Sequence, residues 1–313
     1  MRISLVVNPH AGSGRAARQL ATLRRRLDAE GRPHDVFETS RRGEATELAR
    51  HAIDAGADVL GVLGGDGTLN EVSQAYIDAE GAPRPGPPIA LIPSGTGGDF
   101  PKSCAFANDA LDGAVERLCR GRARPLDLGV VTLADAGGRP LHRAFVNIAS
   151  VGISGDVDER VERGPKWLGG KAAFLFGTVT AALGYRNVPI EIDVDGAPWH
   201  RGPVLITAIA NGRFLGGGMH IAPRAQLADG LLDVVCVGDL SRATFLRLFP
   251  SVYKGTHLEL EAVRSTRGRL VEVRPEHPGS GAAPVLVDVD GETPGYLPLS
   301  ARIFPGALQL VGD

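Results

Sequence analysis

The stretch Val59-Leu60-Gly61-Val62-Leu63-Gly64-Gly65-Asp66-Gly67-Thr68-Leu69-Asn70-Glu71 passes from a short apolar run through a glycine-rich turn into a helix-forming segment. Such a strand-to-turn-to-helix passage makes a phosphate cradle. Glycines let the backbone come close to an anion, and the free amides at a helix start face it. Asp66 adds a carboxylate that can reach a bound magnesium ion. Nucleotide-dependent phosphoryl transfer is therefore the first expectation.

On either side of this stretch the first third of the chain alternates strand and helix patterns. The reading gives a strand at Ile3 to Val7, a helix over Ala16 to Ala29, an extended Asp35 to Glu38 and a helix at Glu44 to Ala55. The strand Val59 to Leu63, a helix at Leu69 to Ala79, the strand Ile89 to Ile92 and a helix at Leu111 to Arg120 follow. Alternation of this kind predicts a parallel sheet covered by helices. Ligands of open α/β sheets bind beyond the carboxyl ends of the strands, where Asn8-Pro9, Gly64-Gly65 and Pro93-Ser94-Gly95 all fall.

Near Pro125 the pattern changes and strands dominate: 144–149, 190–194, 204–210, 232–237, 270–273 and 285–289, separated by turn-forming residues. This predicts a second, largely β domain, with Glu276 to Pro284 as a loose loop. A length of 313 residues also favours two cores over one.

A net charge of −2 gives no overall basic field for nucleic acid. Cys104, Cys119 and Cys236 are odd in number and lack C-x-x-C spacing. They read as small core residues rather than a disulfide framework or a zinc site. The N-terminus lacks the pattern of a signal peptide, so a reducing, cytoplasmic setting is expected. The apolar run Ala172 to Tyr185 is shorter than the roughly 20 residues that a spanning helix needs. It reads either as a core helix or, with Arg163, Lys166, Trp167 and Lys171 before it, as a surface that meets lipid. No H-E-x-x-H, G-x-S-x-G, H-R-D or D-F-G set supports a hydrolase or a protein kinase.

Two further loops share the logic of the first. Asn8-Pro9-His10-Ala11-Gly12-Ser13-Gly14 joins the first strand to the first helix without the lysine of a P-loop. Gly95-Thr96-Gly97-Gly98-Asp99-Phe100 offers glycines, a hydroxyl and an acid. Together, N-P-x-x-G-x-G, G-G-D-G-T-x-N-E and G-T-x-x-D-F resemble the diacylglycerol kinase catalytic family, which includes bacterial lipid kinases and sphingosine and ceramide kinases and is distantly related to NAD kinases. The resemblance continues through Phe145 to Ala149, Gly216 to Met219, Ala222-Pro223, Asp229 to Val234 and Asp290-Gly291-Glu292.

That resemblance implies a Rossmann-like, three-layer α/β nucleotide-binding domain of NAD-kinase type over residues 1–126, completed by 302–313. A β-sandwich lipid-substrate domain would span 127–301. It implies ATP between the domains, touched by Asn8, Pro9, His10, Ala11 and Gly12, by Thr39, by Gly65, Asp66, Gly67, Thr68, Leu69, Asn70 and Glu71, and by Thr96. Asp66 would organise the catalytic Mg2+, with Asp99 and Asp127 as further acids. Glu292 would be the general base. A second, structural magnesium would sit on the carbonyls of Gln226 and Leu231 and the side chain of Asp229; the plain alternative is that Asp229-Gly230 is a turn before a strand. Gly98 departs from the family, in which asparagine is common at this place, and removes a side-chain hydrogen bond.

The implied activity is transfer of the γ-phosphoryl group to the hydroxyl of a membrane lipid by a peripherally associated enzyme. Arg41 and Arg42 could meet phosphate or simply be solvated, and an exposed strand edge in the β domain leaves room for a homodimer. The competing readings are a kinase of a soluble substrate such as NAD and a non-catalytic lipid or nucleotide sensor.

Overall fold

The computed structural model describes residues 1–94, 98–104, 111–120, 122–153, 185, 187–277 and 284–312. Its first compact unit comprises Met1–Leu128 with Phe304–Asp313, and its second comprises Gly129–Ile303.

In the first unit, strands β1 (Ile3–Val7), β2 (His34–Glu38), β3 (Val59–Gly64) and β4 (Ile89–Pro93) pair in parallel in the order β2-β1-β3-β4. The end of the last strand, β15 (Glu292–Val311), lies parallel beside β4 through Leu310 and Ile89. β1 and β3 are buried along their whole length, which is why they read as continuous apolar runs rather than alternating ones. Helices α1 (Ala11–Ala29) and α5 (Leu111–Arg120) cover one face of this sheet. Leu20, Leu23, Leu27 and Leu118 pack there against Ile3, Leu5 and Leu63. Helix α2 (Glu44–Asp54) packs on β1 and on α3 (Asp66–Ser73), completing three layers.

Gly12, Ser13 and Gly14 have left-handed φ values of 59°, 56° and 81°, so a left-handed turn follows β1 and regular helix runs from Arg15 to Ala29, within one residue of the expected start. The start of the third helix differs from expectation. Helix α3 starts at Asp66 rather than Leu69, because Gly65 is extended and the Leu69 amide already donates to the Gly65 carbonyl at 3.1 Å.

The second unit is dominated by antiparallel strands. Its central ladder runs β12 (Val263–Gly268), β11 (Leu232–Val237), β10 (Ile206–Ala210), β7 (Ile148–Gly152), β14 (Leu286–Val289) and β15. β8 (Val188–Val194), β9 (Ala197–Val204) and β13 (Leu270–Pro275) form a second set of pairings, and β5 (Ala123–Ala134) pairs β6 (Pro140–Phe145).

Successive side chains of β7, β10 and β11 enter two different cores. Ala149, Val151, Ile209, Val234 and Cys236 join the core with β8 and β13, while Ile148, Ala208, Ala210, Val235 and Val237 face the core beside Phe249 of α6 (Arg242–Lys254). A period of two with both faces buried explains their uninterrupted hydrophobicity.

The sequence segment 144–149 is two strands, with the chain turning at Val146-Asn147. Similarly, 204–210 divides into the end of β9 and β10. Cys104 and Cys236 are buried and unbridged, and desolvation pushes their thiols up to about 12 and about 11. Cys119, expected in the core, is only partly buried. Nearly all of the 172–185 apolar run, and most of the 276–284 loop, lie outside the described residues.

Candidate active site

Because β1, β3 and β4 are parallel neighbours, the loops after them emerge at one edge of the sheet. The backbone ties them together there. The Asn8 amide donates to the Leu63 carbonyl at 3.0 Å, the Ser94 amide to the Gly64 carbonyl at 3.0 Å, and the Thr39 amide to the Val7 carbonyl at 2.8 Å. Asn8 also spends its side chain on order: Oδ1 accepts the His10 amide at 3.1 Å and Nδ2 donates to Thr68 Oγ1 at 3.4 Å. At Gly12 a Cβ would stand 2.0 Å from the Ser94 carbonyl oxygen, so a side chain there would part the first and third loops.

A cavity of about 260 Å³ opens beside this junction, lined by Asn8, His10, Thr39, Thr68 and Glu71 together with Ser40, Arg41, Arg42 and Ala45. Hydroxyls, an amide and two guanidinium groups form a donor set suited to phosphate and ribose oxygens. Pro9 and Ala11 belong to the turn itself, where the Ala11 amide donates to the Asn8 carbonyl at 3.1 Å. Gly65 and Gly67 leave open space where a Cβ would stand, as a backbone approached by a polyphosphate requires.

Four residues expected to meet nucleotide or phosphate also have visible structural work. Glu71 accepts the Ala45 amide at 3.0 Å, and its carbonyl accepts the Thr46 hydroxyl at 2.7 Å, fastening α3 to the start of α2. Leu69 and Asn70 are buried, and the Asn70 carbonyl accepts from Ser73 and Gln74. Arg41 is held by Glu47 at 2.9 Å while it lines the cavity. Thr96 lies outside the described residues.

Asp66 is half-buried on the first turn of α3, and its Oδ2 accepts the Asp99 amide at 2.7 Å. Burial pushes its carboxyl above the usual carboxylate range; the Asp99 amide works against this, and the Asp99 charge adds to it. Gly98 makes this arrangement possible. A Cβ at 98 would stand 2.6 Å from Asp66 Oδ1 and 3.0 Å from the Pro101 ring, so a larger residue here would push the Asp66 carboxylate aside. Asp99, at the start of the short helix α4 (Asp99–Ser103), pairs with Lys102 at 2.6 Å, and Asp127, buried in β5, accepts the Gly306 amide at 2.7 Å. Among the described residues, no three His, Cys, Asp or Glu side chains stand close enough to hold a metal together. A magnesium ion keeps several waters and is commonly held by one or two carboxylates plus substrate phosphates, a demand that Asp66 suits.

Glu292 opens β15 directly after the two-residue hairpin turn Asp290-Gly291, opposite Val289 of β14. Asp290 has φ 52° and is the anchor of the turn. Its carboxylate accepts the amides of Val146, Asn147 and Ile148 at 3.0, 3.1 and 2.8 Å, and its own amide donates to the Ile148 carbonyl at 2.9 Å. Fully buried Asp288 accepts the Ser150 hydroxyl and the Gly291 amide, both at 2.8 Å. Sequence reasoning gave Asp288 and Asp290 no role of their own. The Asp-Gly hairpin signal was visible, but the partner amides lie more than 140 residues away.

The implied structural metal site does not fit the residues present. Asp229 Oδ1 accepts the Leu231 amide at 3.1 Å, and Oδ2 is ion-paired with Arg267, which also reaches Asp233 at 3.1 Å. Asp229-Gly230 forms the turn that enters β11, with Gly230 at φ 75°.

Comparison with known proteins completes the picture. The diacylglycerol kinase catalytic domain matches residues 2–131, and the YegS C-terminal NAD kinase beta sandwich-like domain matches residues 147–312. A Stenotrophomonas maltophilia protein named "Probable lipid kinase YegS-like" is 32% identical, over 86% of this chain and 83% of its own length. A Mycobacterium tuberculosis protein named diacylglycerol kinase is 29% identical, over 99% of this chain and 94% of its own length. In fold the chain is similar to a diacylglycerol kinase from Bacillus anthracis, with a TM-score of 0.72 and 20% identity over 100% of this chain and 97% of that one. An Archaeoglobus fulgidus NAD kinase in complex with ATP gives a TM-score of 0.53 at 13% identity, over 100% and 94%. With the segments after β1, β3 and β4 leaving one sheet edge and both halves matched in order, the chain belongs to the diacylglycerol kinase family of lipid kinases that carry a YegS-type C-terminal domain.

Proposed function

We propose that this protein transfers the γ-phosphoryl group of ATP to the hydroxyl of a membrane lipid of diacylglycerol or sphingoid type. The observation that carries this reading is the cavity at the joined ends of β1, β3 and α3, whose lining of Asn8, Thr39, Thr68 and paired arginines suits a nucleotide, in a chain of the lipid kinase family.

In this reading Asn8 to Gly12, Thr39, Thr96 and the amides of Gly65 to Glu71 bind ATP. Magnesium beside Asp66 would supply the positive charge that offsets repulsion among phosphate oxygens and stabilises the transferring group. Lys102 balances the charge of Asp99, so that Asp66 is left as the acid turned to this task. Asp127 Oδ1 secures the Gly306 amide. Glu292 takes the proton from the acceptor hydroxyl as that oxygen bonds to the γ-phosphorus and ADP departs. The Asp290 clamp keeps Glu292 at a fixed point of its hairpin, which general-base catalysis rewards.

The proposal includes peripheral contact with the cytoplasmic face of a membrane. Leu246 and Tyr253 of α6, 41% and 40% exposed, are the large apolar side chains left open in the second unit among the described residues. No described helix is long and apolar enough to cross a bilayer.

The test is transfer of labelled phosphate from γ-labelled ATP to mixed micelles carrying diacylglycerol, a sphingoid base or ceramide, with NAD offered in parallel. Product on a lipid supports the reading. Phosphorylation of NAD alone would replace it with the soluble-substrate reading, and no turnover on any acceptor would favour a non-catalytic sensor.

A further inference from the structure

We infer that Arg267 does in this chain what a bound metal would do at the Asp229 turn. Its guanidinium is the cation that joins Asp229 to Asp233 and fastens the turn to the β11–β12 ladder, and no divalent ion binds there. This inference stands apart from the kinase reading, and its test reads stability alone.

The geometry is fixed by the sheet. Asp233 and Arg267 are direct register partners on adjacent antiparallel strands, so their side chains leave the same face side by side. Arg267 Nε donates to Asp233 Oδ2 at 3.1 Å while Nη2 donates to Asp229 Oδ2. One planar fork thus spans two carboxylates four residues apart, a task for which arginine is built and a point charge is not.

Both carboxylate oxygens of Asp229 are already engaged. Its Oδ1 is turned to the Leu231 amide and its Oδ2 to the guanidinium, so a magnesium ion, which demands oxygen ligands at about 2.0–2.1 Å in octahedral array, would have to displace Arg267 first. Displacement is opposed by charge. Asp233 is 9% exposed, and expelling the arginine would leave this nearly buried carboxylate without its donor. Burial pushes the Asp233 carboxyl above its usual range and the Arg267 guanidinium pulls it back, so this acid already has its cation. A divalent ion added to this group would meet like charge rather than an open acidic pocket.

Thermal unfolding of the full chain without nucleotide tests this, in EDTA and in about 10 mM MgCl2 at matched ionic strength. The wild type is expected to melt within about 1 °C in the two buffers. Arg267→Met is expected to melt about 3–8 °C lower in EDTA, as loss of one partner from a partly buried triad implies. It should also gain a magnesium-specific rise that the double variant Arg267→Met/Asp229→Asn lacks, because the two freed carboxylates then attract a cation. Arg267→Lys, which keeps the charge and loses the fork, should fall between wild type and methionine, and it serves if the methionine variant does not fold.

A magnesium-specific rise of several degrees in the wild type that disappears in Asp229→Asn overturns the inference. So does an Arg267→Met variant that melts with the wild type, or one that is destabilised and gains no response to magnesium.

Discussion

Replacing Asp290 by alanine strips the acceptor from three backbone amides at once, those of Val146, Asn147 and Ile148, which reach its carboxylate at 2.8–3.1 Å. Hydrogen bonds to a charged group contribute about 1.5–3 kcal/mol each, and a buried donor left unpaired costs about 1–3 kcal/mol. Simple addition over three bonds would overshoot, since they share one carboxylate and the site is only partly buried. A loss of about 3–5 kcal/mol for Asp290→Ala is the reasonable sum. Asp290→Asn should cost about half as much. Asparagine tolerates the φ of 52° and keeps one acceptor oxygen for Asn147 and Ile148, but it turns an NH2 toward the Val146 amide.

In a unit of this size each kcal/mol lowers the melting temperature by roughly 2–4 °C, so the alanine variant should melt about 10 °C below the wild type. Amide hydrogen exchange gives the local readout. Protection at residues 146–148 should fall in the order wild type, Asn, Ala, while protection in the parallel strands of the first unit stays unchanged. Unaltered protection at these amides in Asp290→Ala would refute the clamp.

Two further outcomes follow from the first unit. Gly12→Ala places a Cβ 2.0 Å from the Ser94 carbonyl at a left-handed φ. It should destabilise by about 2–4 kcal/mol and weaken nucleotide binding, measurable by denaturant titration and by calorimetry with an ATP analogue. Asp66→Asn should stabilise the nucleotide-free protein in a pH-dependent way. Because burial raises the folded-state pKa of Asp66 above its unfolded value, the folded state holds this proton more tightly. The resulting penalty is absent below the unfolded value near 3.9, grows as pH rises through the interval and is complete above the folded value. The melting-temperature gain of the variant should therefore be larger at pH 8 than at pH 4; a gain independent of pH would contradict it.

The parallel sheet and its phosphate-facing edge were legible because they rest on local signals. Ile3–Val7, Val59–Gly64 and Ile89–Pro93 are apolar on both faces, and each ends in turn residues. The long strands β5 and β15 were not legible, since Pro125, Pro294, Pro298 and Pro305 interrupt their patterns and discourage a strand reading. Helix α6 was missed for a similar reason, Pro250, although Ser241 as N-cap and Gly255 as left-handed C-cap marked both ends. Strand β12, Val-Arg-Ser-Thr-Arg-Gly, lacks alternation because it is an edge strand carrying charge. Without that strand the register of Arg267 with Asp233 could not be foreseen, and Asp229 read as a metal ligand. At the candidate site, the sequence named the residues of the three loops. It could not foresee that Gly98 stands against Asp66, nor that Asp290 draws its partners from the turn before β7, because both depend on segments brought together only by folding.

The proposed role of Glu292, taking the proton of a lipid hydroxyl during phosphoryl transfer from ATP, is tested most directly by the single-turnover rate of labelled phosphate transfer to micellar lipid by the wild type and by Glu292→Gln, at saturating ATP and with matched melting temperatures. A loss on the order of 10²–10⁴-fold in rate, with ATP affinity unchanged, is the result the account predicts. A Glu292→Gln variant that transfers phosphate to lipid as fast as the wild type would contradict it.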